Sequence, residues 1–135
     1  THGVKPEDLA ELQATIGAGD GFDFAFEAIG LPLTMRAAFD AARRGGTACI
    51  VGVGKPDQKI EFSAFELFYA EKTLKGSMYG SANVRTDFPR LLRLWKQGKL
   101  DLEGMISRRI DLDDVNEAFR AMQAGEVIRS VIDFQ

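Results

Sequence analysis

Three short, largely apolar runs, Phe22 to Ile29, Thr47 to Val53 and Thr73 to Tyr79, alternate with stretches of helical period, and each run stops at or beside a glycine. Nothing else in the chain constrains its fold as strongly. A strand that is apolar on nearly every position is covered on both faces. Strands separated by helices return to one sheet through right-handed crossovers, which makes them parallel. The sequence therefore reads as α/β. Residues 1–80 make the second half of a doubly wound parallel sheet, and a boundary in the loop 81–85 leads to a C-terminal helix and strand segment, residues 81–135.

The punctuation between the runs agrees with this. Pro6, Glu7 and Asp8 suit a helix start, because proline lacks the N–H that would be unpaired there and acids favour the positive end of the helix dipole. Leu9, Leu12 and Ile16 then share a face until the glycines at 17, 19 and 21. Leu31-Pro32 opens a second helix carrying Met35, Ala38, Phe39 and Ala42, which Gly45-Gly46 ends. Ser63, with Glu66 three residues on, forms a capping box for a short helix to Ala70. Beyond Gly80, Thr86 is expected to cap a helix with Phe88, Leu91, Leu92 and Trp95. Met105 to Leu112 reads as a strand, Asp113 as the cap of a helix ending at Gly125, and Val127 to Phe134 as the last strand.

Composition excludes several classes. With 45% apolar and 27% charged residues and a net charge of −3, this is a globular chain rather than a disordered one. Its basic residues form only the pairs Arg43-Arg44 and Arg108-Arg109, too few to track a phosphate backbone, so no nucleic acid is expected as a partner. No apolar run is long enough to span a bilayer and no basic stretch precedes a hydrophobic one at the start. A cytoplasmic setting is expected, with Cys49 a core thiol in a reducing compartment.

In parallel sheets of this kind, ligands bind outside the carboxyl ends of the strands. Those ends are Ala28-Ile29-Gly30, Val51-Gly52-Val53-Gly54 and Ser77-Met78-Tyr79-Gly80. Each pairs a small residue with an apolar one, which admits a flat ring close to the backbone. Equally, the glycines serve tight turns between strand and helix. Gly17-x-Gly19-x-Gly21 is no phosphate loop, since it follows a helix and precedes a strand. Glu27, at the end of the first strand, is expected to cap or pair locally rather than act as a base.

Five segments in order carry a resemblance: Phe26-Glu27-Ala28-Ile29-Gly30, Gly45-Gly46-Thr47 with Ile50-Val51-Gly52-Val53, Thr73-Leu74-Lys75-Gly76-Ser77, Val115-Asn116-Glu117-Ala118-Phe119, and Gly125-Glu126-Val127-Ile128-Arg129. Together they resemble the C-terminal part of zinc-dependent alcohol dehydrogenases, in the medium-chain dehydrogenase/reductase family, whose cofactor domain is a Rossmann sheet. The resemblance implies NAD or NADP as cofactor and an alcohol or aldehyde substrate. It places Ala28, Ile29 and Gly30 on the adenosine side, and Val51, Gly52 and Val53 against the nicotinamide and its ribose. Ser77 and Tyr79 would offer backbone groups to the carboxamide, Met78 with Val53 would line the substrate pocket, and Arg129 would reach the pyrophosphate. It also implies a homodimer or tetramer joined through residues 73–79.

The departures shape the expectation as much. The family's zinc is held by cysteine and histidine, whereas this chain has only Cys49 and His2. The glycine fingerprint and the acid that reads the adenosine ribose are likewise missing, which leaves NAD and NADP both open. We therefore expect part of the cofactor floor of a longer enzyme, with zinc bound elsewhere in that enzyme and neither metal ligands nor catalytic residues here, so that the piece alone is inactive. Two alternatives stay open: a related zinc-free quinone reductase, and a non-catalytic dimerisation module.

Overall fold

A computed structural model describes residues 2–134. They divide into two compact units, one running to Ala82 and one beginning at Asn83, and each is considered by itself.

In the first unit, a helical turn Pro6–Asp8 leads into helix α1 (Leu9–Thr15) and then strand β1 (Phe22–Glu27). Helix α2 (Pro32–Ala41), strand β2 (Ala42–Ile50), helix α3 (Ala64–Ala70) and strand β3 (Thr73–Gly76) complete it. The strands form one parallel sheet in the order β1-β2-β3, as the alternation of periods requires. In register, Glu27 pairs with Ile50 and Ile50 with Gly76, so the three strands finish level with one another.

Several boundaries move from where the sequence puts them. Ala42 is extended and buried, so β2 begins directly behind α2 and the second helix stops one residue short of its expected end. Gly45 has φ +70°, and the register slips between the Phe22–Ala42 and Phe24–Thr47 pairs, which is a bulge that the two glycines permit. β1 stops at Glu27, two residues before Ile29, and β2 at Ile50, three before Val53. β3 does not run to Tyr79 either. It stops at Gly76, and Tyr79, Gly80 and Ser81 all take positive φ in a tight turn, which no strand can contain. At α3, Ser63 accepts a hydrogen bond from the Glu66 backbone N–H at 2.9 Å, as a cap should. The reciprocal half of the box is missing, because the Glu66 carboxylate pairs with Arg36.

The core of this unit lies where α2 meets the sheet. Phe39 is wholly buried, with Met35 and Ala38 beside it and Ala42 and Ala48 below. Its ring meets Phe62 edge-on at 4.7 Å. Lys72 lies over the same ring and donates to the Phe39 carbonyl at 2.8 Å, and its burial pulls the ammonium below its ordinary pKa.

The second unit begins with helix α4 (Val84–Lys96), capped not by Thr86 but by Asn83, which accepts from the Arg85 N–H while Asp87 accepts from the Asn83 N–H. Strand β4 (Arg108–Ile110) pairs in parallel with β5 (Ser130–Ile132), and helix α5 (Val115–Gln123) connects them. Both strands are three residues long, much shorter than the expected runs. Met105 is taken up in a turn, as is Leu112, and the turn Leu112–Asp114 leads into α5 with no side-chain cap from Asp113. Ala118 and Ala121 of α5 and Ile110 of β4 form its small core.

Because Phe39 is the largest fully buried side chain among the described residues, Phe39→Ala should destabilise by about 3–5 kcal/mol in chemical denaturation. A loss below about 1 kcal/mol would place the core elsewhere.

Candidate cofactor site at the strand ends

The site is built by the chain leaving the sheet three times at one level. Beyond Ile50, the Val51 and Gly52 N–H groups both donate to the Glu27 carbonyl, at 2.7 and 3.0 Å, which ties the exit of β2 to the end of β1. Beyond Gly76, the Ser77 N–H donates to the Ile50 carbonyl at 2.8 Å. Val51, Gly52, Val53, Ser77, Met78 and Tyr79 thereby line one open, mainly apolar depression of ≈ 780 Å³. Val53, Met78 and Tyr79 are 91%, 80% and 71% exposed, so this rim is presented to a ligand or to another protein surface.

Ala28 and Ile29 face a second depression with Pro6, Leu9, Phe22, Phe26 and Thr34. Gly30 joins the two regions. A Cβ placed on it would come within 2.5 Å of the Val53 carbonyl oxygen, and its φ of +94° is hostile to any other residue. Gly52 is equally confined, since a Cβ there would meet the Gly30 nitrogen and stand 2.5 Å from Glu27 Oε2. The space beside both glycines is filled by the chain itself, so the reading of them as turn residues describes the packing. Of the groups expected to face a carboxamide, the Ser77 N–H is engaged inside the sheet. The Tyr79 carbonyl accepts from Ala82 N–H at 3.2 Å and keeps a second lone pair.

Glu27 is the group whose part the sequence least discloses. It is 3% exposed. Its Oε1 accepts from the Ile29 N–H at 2.8 Å, the Gly30 N–H at 2.7 Å and the Thr34 hydroxyl at 2.7 Å. Helix α2 has no side-chain cap from Leu31, and this carboxylate sits at its positive end in place of one. Burial pushes the Glu27 carboxyl up, but the hydrogen bonds from Thr34, Gly30 and Ile29 outweigh it and hold the group below its ordinary value of 4.5. Oε2 is buried and accepts from nothing among the described residues. The local caps foreseen for this residue are thus present, and they involve more partners than sequence spacing can show. The signal available was an acid three residues before a glycine and seven before a threonine, at a strand-to-helix turn.

Arg129 belongs to the second unit, where its carbonyl accepts from the Ser107 and Arg108 N–H groups at 2.9 and 3.3 Å. Its side chain makes no ion pair among the described residues and borders an apolar hollow with Phe119, Met122 and Ile128. Among the described residues, no three His, Cys, Asp or Glu side chains stand together as a metal would need, so the residues present do not fit a zinc site. No described helix is long and apolar enough to cross a membrane.

Residues 1–97 match the family model described as zinc-binding dehydrogenase. The chain is 39% identical over 116 residues to the class-3 alcohol dehydrogenase of Caenorhabditis elegans, a match covering 85% of this chain and 30% of that protein. The benzyl alcohol dehydrogenase of Acinetobacter calcoaceticus superposes with a TM-score of 0.81 over 96% of this chain and 35% of that one; at 24% identity this shows a common fold. A zinc-binding dehydrogenase of Sinorhizobium meliloti 1021, solved bound to NADP, is 25% identical and superposes with a TM-score of 0.68 over 85% of this chain and 32% of that one. The chain belongs to the zinc-binding dehydrogenase family, and spans about 30% of the length of curated relatives that it matches. The resemblance to zinc-dependent alcohol dehydrogenases and the α/β fold read from the sequence are both borne out.

Since the folded pKa of Glu27 is depressed, its ionised form contributes stability above about pH 4.5, and that contribution is lost as pH falls through the lower folded value. Glu27→Gln cannot titrate. In denaturation at a series of pH values, the unmodified protein should exceed the variant in stability above pH 4.5, and the gap should close on acidification. A gap independent of pH would contradict the assignment.

Proposed function

We propose that this chain supplies part of the cofactor floor of a cytoplasmic NAD(P)-linked alcohol or aldehyde oxidoreductase. The observation that carries this is the level finish of the three strands at Glu27, Ile50 and Gly76, which gathers Val51, Gly52, Val53, Ser77, Met78 and Tyr79 around one apolar depression. Such a surface suits a flat ring whose one face must be kept dry and whose edge needs a few backbone acceptors. The nicotinamide, when bound, supplies hydride transfer to or from the substrate carbon. Val51 and Val53 would pack against its ring, Tyr79 would offer its carbonyl to the carboxamide, and Ser77 would offer its hydroxyl now that its N–H is committed to the sheet. Met78 and Val53 would border the substrate. Ala28, Ile29 and Gly30 would take the adenosine side, and Arg129 the pyrophosphate, where a planar guanidinium can bond two oxygens at once.

Zinc would be held by residues outside the described part of this chain, which has no ligand set for it. In keeping with that, Phe24 and Phe26 on the edge strand β1 are 66% and 71% exposed, a face of the sheet that suits cover by further polypeptide. The 135 residues expressed alone should turn over no alcohol and retain no stoichiometric zinc. Metal analysis showing one tightly held zinc per chain would overturn this. In the full natural polypeptide that contains this chain, NADH or NADPH should bind, and Arg129→Ala should weaken it by about 1.5–3 kcal/mol. An unchanged affinity would return Arg129 to the surface.

The opposite edge strand, β3, offers a partner surface for a second copy. Ser77 donates inward to Ile50, so by the two-residue alternation of a strand Leu74 directs its N–H outward. Leu74→Pro removes that donor and should convert a dimer to monomer in sedimentation. A dimer that persists would move the interface off this strand.

A further inference from the structure

We infer that Glu27 is a positioning residue that fixes the two halves of the cofactor seat relative to each other, an inference that rests on the reading of the strand ends as that seat. Glu27 is 3% exposed and borders only the depression beside Ala28 and Ile29, yet it holds both segments that border the seat. Through Oε1 it gathers the Ile29 and Gly30 N–H groups and the Thr34 hydroxyl, which sets the turn carrying Ala28 and Ile29. Through its main-chain carbonyl it gathers the Val51 and Gly52 N–H groups, which sets the exit of β2. Its second carboxylate oxygen, buried and without a donor among the described residues, lies where a side chain on Gly52 would stand, so the two segments are held in contact across this one residue.

A buried charge left with an unpaired oxygen is costly to retain, and a neutral residue or a plain turn would close the same loop at less cost. What the carboxylate adds is charge-assisted bonds to three donors at once, which hold the turn more tightly than a neutral acceptor does. A ligand spanning both segments senses that rigidity, because their relative placement sets the effective concentration of its second half once the first is bound. A ligand that occupies one segment alone does not.

The test is made in the full natural polypeptide, with NADH followed by its fluorescence, and with AMP and nicotinamide mononucleotide as displacing fragments. Glu27→Gln keeps the shape and one acceptor oxygen but loses the charge. It should weaken NADH about tenfold while weakening each fragment less than about threefold. Thr34→Val removes one of the three donors and should give the same pattern more mildly, which keeps the inference testable if the first variant does not fold. Phe39→Leu, chosen to lower the melting temperature comparably, should leave NADH affinity within about twofold. Equal NADH affinity in the unmodified protein and both site variants overturns the inference, as does equal loss for dinucleotide and fragments, or an equal loss in Phe39→Leu. If the unmodified protein binds neither NADH nor NADPH, the cofactor reading itself fails, and this inference with it.

Discussion

The contact on which the first unit depends is that between the Glu27 carboxylate and the backbone turning away from β1. Three donors converge on one oxygen, and the main-chain carbonyl of the same residue receives two more from the end of β2. Four of these five bonds are made by backbone N–H groups that would otherwise be left without partners where two strands end. Gly30 and Gly52 follow from them. With the two segments drawn this close, each glycine has protein atoms where a Cβ would be, so neither position accepts a side chain. The level finish of the sheet, and the depression beyond it, are consequences of that packing.

Much of this was legible in the sequence because it depends on period and punctuation. Apolar runs bounded by glycine gave the strands, helical spacing gave the crossovers, and Ser63 announced α3. The misplaced boundaries share a cause: apolar character continues past the last ladder bond. Val51 to Val53 and Ser77 to Tyr79 read like strand, yet the exit of β2 is turned by two N–H groups sharing the Glu27 carbonyl, and that of β3 by the positive φ of Tyr79, which residue type does not disclose. The early start of β2 at Ala42 is the converse case, in which two glycines that look like an ending form a bulge inside the strand.

Capping was harder to read, because several polar residues compete for the same amide groups. Asn83 outcompetes Thr86, whose hydroxyl turns back to the Asn83 carbonyl, and Glu66 leaves the box at Ser63 to join Arg36. Arg36 also pairs with Asp40 and lies over Phe39 and Phe62, so a partner 30 residues from Glu66 along the chain decides the cap's form. The full role of Glu27 is of the same kind. Its donors come from a turn, a helix and a neighbouring strand, and only the folded arrangement brings them together.

The most direct measurement is hydrogen–deuterium exchange of the full natural polypeptide with and without NADH or NADPH. Slowed exchange is expected in three separate stretches, 28–30, 51–54 and 77–80, with little change in α3. Protection spread evenly over the sheet, or confined to residues outside those three strand ends, would contradict this.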